Sequence, residues 1–146
     1  MALPEIQPQE TGPIEGIVDT GIVVIAHFSN PAQRSAIQFL GKILKWEKKC
    51  LIPTSCFSGA YHIMTEYIGV ERVEAYRALV KTLELRSPAF YEDLSVELVI
   101  DAMTFANGYH IESWDGYMIA LSKLLSAPIL YSIDRELMRK VKEVQV

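Results

Sequence analysis

Ser113-Trp114-Asp115-Gly116-Tyr117-Met118-Ile119-Ala120-Leu121-Ser122-Lys123, followed by Ala127-Pro128-Ile129-Leu130-Tyr131-Ser132-Ile133-Asp134, is the stretch that decides how this chain is read. Ser113 is a good helix cap, and small and apolar residues carry a helix from Trp114 to about Ser126. Pro128 to Ser132 then reads as a short buried strand. Asp134 opens a further helix to about Lys140. The alternation of Val141 to Val146 is that of an edge strand. A helix, a strand and a helix, with an acid at each helix start, is the pattern of an α/β domain.

The same alternation holds upstream. Gly16-Ile17-Val18-Asp19, followed by the apolar Ile22 to Ala26, reads as a buried β-branched strand ending near Asp19. Pro31 suits the start of the next helix, with Ser29 or Asn30 as cap, and Ala36, Ile37, Leu40, Ile43 and Leu44 form its apolar stripe. Cys50-Leu51-Ile52-Pro53 is a second strand. A helix from Thr54 or Ser55 to about Ile68 stops at Gly69, and another covers Val70 to Leu83. Leu85 to Phe90 suggests a short strand, and Tyr91 to Asn107 a helix stopped by Gly108. Strands alternating with helices predict a three-layer α/β/α sandwich around a central, mostly parallel sheet. Residues 1–14, rich in Pro, Glu and Gln, are expected to be an extended tail, and 15–146 a single domain.

The totals agree with that size. The chain has 146 residues, half of them hydrophobic, enough for a packed core and too apolar for disorder. Cys50 and Cys56 make neither a zinc motif nor a disulfide framework and suit a reducing, cytoplasmic setting. No signal-peptide pattern and no membrane-spanning apolar run is present. The net charge of −4 is the wrong sign for a generally basic nucleic-acid surface. RNA contact would need local patches, such as Lys42, Lys45, Lys48 and Lys49, or Arg135, Arg139, Lys140 and Lys142. Each patch is equally readable as a solvated helix face.

In an open parallel sheet, sites form beyond the carboxyl ends of the strands. Asp19 and Asp134 follow two strands, and Asp115 sits in the first turn of a helix expected to start on that edge. Two carboxylates about 5 Å apart repel by roughly 3 kcal/mol at an effective dielectric near 20. Three together call for raised pKa values or a cation, and all-oxygen ligands suit Mg²⁺ or Mn²⁺. Each acid also has a local explanation: Asp134 and Asp115 at helix starts, Asp19 in a turn with Thr20 and Gly21. Their placement on one rim favours a shared site. His27, His62 and His110 have no ligand spacing and read as structural. Trp114 is either a base-stacking or a core residue. Glu112, three residues before Asp115, is a candidate supporting charge.

These residues resemble the PIN domain over roughly residues 16–140. The resemblance rests on Ile17-Val18-Asp19-Thr20 after the first strand and on the closing segment quoted above, with Ser132 two residues before Asp134. It implies a metal-dependent endoribonuclease in which Asp19, Asp115 and Asp134 hold Mg²⁺ or Mn²⁺, with Thr20 and Ser132 in support. It further implies an RNA substrate, an antitoxin protein as partner in a toxin–antitoxin pair, and a homodimer. One position departs from the pattern. The family's Glu on the helix after the second strand falls at Gly59. Glu66 is the nearest acid on that helix and replaces it only if the register shifts, since it lies about 10.5 Å further along the axis. The departure leaves a second reading open, a catalytically degenerate PIN domain that binds RNA or a partner. A haloacid-dehalogenase-type phosphatase fits less well, because Gly21 stands where that family needs a second Asp.

Overall fold

The short β-branched run Gly16–Val18 forms strand β1, buried along its whole length. The computed structural model of the protein describes residues 14–92, 94–127 and 129–131. After β1 come helix α1 (Thr20–Ala26), helix α2 (Gln33–Leu44), strand β2 (Cys50–Pro53) and helix α3 (Ser55–His62). A π-helical segment, Ile63–Ile68, continues α3. Helix α4 (Arg72–Leu83), strand β3 (Phe90–Tyr91), helix α5 (Val96–Tyr109), helix α6 (Ser113–Leu124) and strand β4 (Ile129–Tyr131) complete the described order.

The four strands form one sheet in the order β3-β2-β1-β4. All three pairings are parallel, with Gly16 opposite both Cys50 and Ile129. Register and pleat decide which residues face which layer. Ile17 and Leu51, opposite each other, pack with Leu98 and Ala102 of α5 and with Met118 and Leu121 of α6. Val18, Cys50 and Ile52 turn the other way and meet residues of α1, α2, α3 and α4, among them Val23, Ile43, Ala60 and Leu79. Helices therefore cover both faces, and the three-layer α/β/α architecture is the one expected.

Several boundaries differ from the sequence reading. The β-branched run Ile22-Val23-Val24-Ile25 lies in α1 and not in a strand. Asp19 caps this helix, and burial of Val23, Val24 and Ala26 on its inner face outweighs their weak helix propensity. Helix α2 starts at Gln33, after the expected Pro31. The Asn30 amide donates to the Ile25 and Phe28 carbonyls, while its Oδ1 accepts from Ala32 N. Helix α5 runs through Gly108, and His110 takes the left-handed cap conformation at φ 55°. Helix α6 begins at Ser113 itself, with Glu112 in the cap position and no side-chain capping bond. Gly69 ends its helix as expected, at φ 90°. The tail before residue 14, Ser132, the helix expected from Asp134 and the edge strand 141–146 lie outside the described residues.

The strand order also locates a crevice. From β1 the chain moves outward through β2 to β3, then returns to the opposite side of β1 as β4. Such a reversal opens a cleft beyond the carboxyl ends of the two strands. Asp19 is the first residue past the end of β1.

Candidate active site

Asp19 has extended backbone angles, φ −85° and ψ 163°, and its Oδ1 accepts a 2.7 Å hydrogen bond from the Thr20 amide. A carboxylate at a helix start also meets the positive end of the peptide dipoles. The residue is only 4% exposed. Asp19 is thus both a cap and a buried charge at the mouth of the crevice.

Asp115 lies in the first turn of α6 and is half-buried. The contact that brings this turn to Asp19 comes from its neighbour. Trp114 Nε1 donates to Thr20 Oγ1 at 2.7 Å, joining residues 94 positions apart in the chain. The two acids therefore sit one residue to either side of a single hydrogen bond. Trp114 stacks on Tyr117 at 5.0 Å between ring centroids and touches both apolar clusters. Its indole is engaged by the fold, which answers the stacking-or-core alternative in favour of packing.

Gly116 lets α6 seat deeply enough to present Asp115. A β-carbon there would lie 2.1 Å from the Ala102 carbonyl oxygen and 2.9 Å from the Ala106 nitrogen of α5. Only a glycine admits that approach. The small residues Gly116, Ala102 and Ala106 are the trace of this approach in the sequence.

Thr20, which is buried, also faces α3. Cys56 Sγ donates to the Val18 carbonyl at 3.7 Å. Burial pushes its thiol up to about 12; a hydrogen bond from Thr20 opposes the rise, and the Asp19 carboxylate adds to it. Cys56 is accordingly an inert thiol behind the site. Further along the same helix face, a β-carbon on Gly59 would lie 3.3 Å from Thr20 Cγ2. The position at which the PIN resemblance expects a Glu therefore does look onto the Asp19 loop, and it carries no side chain. Ser55, one turn earlier on α3, has a buried hydroxyl without a hydrogen-bond partner among the described residues.

Glu66 sits elsewhere. It is exposed, lies in the π-helical segment and pairs with Arg72 at 3.3 Å. The wider π turn changes the helical register, so the seven-residue spacing from Gly59 no longer returns it to the same face. Glu112 is exposed at the start of α6. Asp134 and Ser132 lie outside the described residues, as does the basic group Arg135 to Lys142. Lys42, Lys45, Lys48 and Lys49 precede the start of β2, at the sheet edge opposite Asp19. There Lys48 pairs with Glu15 at 3.6 Å, and Lys49 donates to the Trp46 carbonyl while lying over its ring. This patch is thus remote from the acidic rim.

Among the described residues no group of three His, Cys, Asp or Glu side chains is close enough to hold a metal ion. Asp19, the cap of α1, and Asp115, in the first turn of α6, each offer carboxylate oxygens. That set suits Mg²⁺, which takes one or two carboxylates and retains several waters. Asp19 and Asp115 are carboxylates of the chemistry that the resemblance calls for.

No family model matches this chain, and no curated protein matches it by sequence. Among solved structures it is similar to the Mycobacterium tuberculosis VapC20 toxin, described as cleaving the sarcin–ricin loop. The TM-score is 0.65 at 12% sequence identity, over 86% of this chain and 94% of that one. The chain has a VapC-like PIN fold. Within this fold the acids at 19 and 115 stand on the carboxyl edge of the sheet. Among the described residues no helix is long and apolar enough to cross a membrane.

Proposed function

We propose that this chain is a metal-dependent endoribonuclease that hydrolyses RNA phosphodiester bonds, acting as the toxin of a toxin–antitoxin pair. The observation that carries the reading is the Trp114–Thr20 hydrogen bond, which ties the start of α6 to the start of α1 one residue from Asp115 and one from Asp19. In the reading, Asp134 is the third acid of the set, Thr20 and Ser132 support the rim, and Glu112 adds charge at its edge. Mg²⁺ or Mn²⁺, when bound, supplies an activated water and neutralises charge on the phosphoryl oxygen. Asp19 and Asp115 would hold the ion, and the burial of Asp19 strengthens its electrostatic interactions at the rim. The fold likeness to a VapC toxin supports RNA as substrate and an antitoxin as partner. A cytoplasmic homodimer follows from the same resemblance, and the exposed Tyr67, Val73 and Tyr76 give it apolar surface to use.

The test compares wild type with Asp19→Asn. Asn caps a helix as well as Asp, so the variant should unfold within about 1 kcal/mol of wild type. Cleavage of a mixed RNA pool should be lost on adding EDTA, restored by Mn²⁺, and absent in the variant. Persistent cleavage by Asp19→Asn, or none by folded wild type with either metal, contradicts the proposal.

A second reading is favoured by one observation, the bare position at Gly59. A rim short of one acid is a weaker cation site, and the chain would then be a PIN domain that binds RNA or a partner without cutting. Calorimetric titration with Mn²⁺ separates the two. Binding that disappears in Asp19→Asn supports the nuclease; RNA binding without Mn²⁺ binding supports the module.

A further inference from the structure

Thr20 is held from several directions at once. Its amide donates to Asp19 Oδ1, its Oγ1 accepts from Trp114, and its Cγ2 lies where a β-carbon on residue 59 would be crowded at 3.3 Å. A threonine side chain has few rotamers in a helix. Turning it would take Oγ1 away from the indole and leave a half-buried N–H without its acceptor. The rotamer that satisfies Trp114 brings the Thr20 methyl closest to position 59, 3.3 Å from where a β-carbon would be, with Oγ1 at 3.6 Å. Glycine at 59 leaves room for that methyl.

We propose that Trp114 is a positioning residue for the acidic rim: its bond to Thr20 sets the spacing between the first turns of α1 and α6, and Gly59 permits the Thr20 rotamer that accepts it. Two departures from a plain apolar core, an indole N–H aimed at a threonine and a glycine in a helix, become parts of one device. The device holds Asp19 through the Thr20 amide and Asp115 through its adjacent backbone. Its effect on cation binding rests on the reading of those two acids as ligands; its effect on geometry does not.

The experiment uses the full chain and the variants Trp114→Phe, Thr20→Val and their double. Mn²⁺ affinity is followed by water-proton relaxation, and melting temperature is recorded beside it. Each single variant should bind Mn²⁺ about tenfold more weakly, and the double about tenfold and not a hundredfold, because both remove the Trp114–Thr20 bond, while the Thr20–Cys56 bond that Thr20→Val also removes lies behind the rim. A residue that only filled space would lower the melting temperature of Trp114→Phe and leave Mn²⁺ affinity as it was. That result, or a hundredfold loss in the double, overturns the proposal.

Proton NMR reads the linkage without metal. The Trp114 indole proton should exchange slowly in wild type, quickly in Thr20→Val, and at an intermediate rate in Gly59→Ala. The Asp115 amide signal should move in Thr20→Val although 95 positions separate the two residues (115 − 20). If wild type binds no Mn²⁺, the cation-site reading fails, and these signals decide the positioning role alone. An unprotected indole, or an Asp115 amide unmoved in Thr20→Val, overturns it.

Discussion

His27 shows how much a single side chain does behind the site. At the end of α1 its Nδ1 donates to the Val23 carbonyl at 2.6 Å, and its Nε2 lies 2.8 Å from Thr82 Oγ1 on α4. Its ring meets Phe57 of α3 edge-on, so one imidazole touches three helices. Burial lowers its pKa below 6.5, against a smaller opposing effect of the Val23 bond. The unfolded chain therefore binds a proton at a higher pH than the folded one. Stability is complete above about 6.5 and falls as pH drops, until the folded imidazole itself titrates. The denaturant midpoint should decline from pH 7.5 to 5.5 in wild type and decline less in His27→Gln. Equal slopes in both proteins would remove His27 as the cause. The histidine was legible in the sequence as structural, but not its partners, because Thr82 lies 55 positions away and no periodicity links them.

At the scale of elements, the packing of α6 on α5 depends on backbone proximity at Gly116. Gly116→Ala should cost at least about 3 kcal/mol, the upper part of the range for overpacking, because the new carbon meets a backbone carbonyl that cannot rotate away. Urea unfolding measures this, and a loss below about 1 kcal/mol would mean that α6 moves outward without penalty. By contrast Gly108→Ala, where no heavy atom lies within 4 Å, should be neutral or slightly stabilising. Gly108 resembled a helix stop, yet the helix continues to Tyr109 because His110 takes the left-handed cap. Strands β1, β2 and β4 were legible because their apolar runs are short and bounded by Asp19, Pro53 and Pro128. Helix α1 was not, since Ile22 to Ile25 carry a strand preference that only the tertiary environment overrules. Asp19 and Asp115 were legible as acids at element boundaries; the Trp114–Thr20 bond that couples them left no local trace.

For the molecule as a whole, two apolar layers flank the sheet, and both cysteines lie in the same one. Cys50 and Cys56 are both 0% exposed, and burial pushes their thiols up to about 11 and about 12. Reaction with a disulfide reagent at pH 8 should therefore label neither thiol in the native protein and both in guanidinium, since the thiolate is the reactive form. Rapid labelling of the native chain would show that the layer between α3 and β1 opens readily. The labelling rate then reports how often that layer opens, in wild type and in every variant above.

The position of β1 between β2 and β4 has a consequence in time. During translation Gly16 emerges 113 positions before its partner Ile129 (129 − 16). Until then β1 has only one neighbour, and the crevice has only one wall. Pairing across so long a stretch is slow compared with local helix formation. A growing polypeptide therefore exposes Asp19 well before the cleft around it exists, and whatever the finished cleft does begins only after residue 131 has been added.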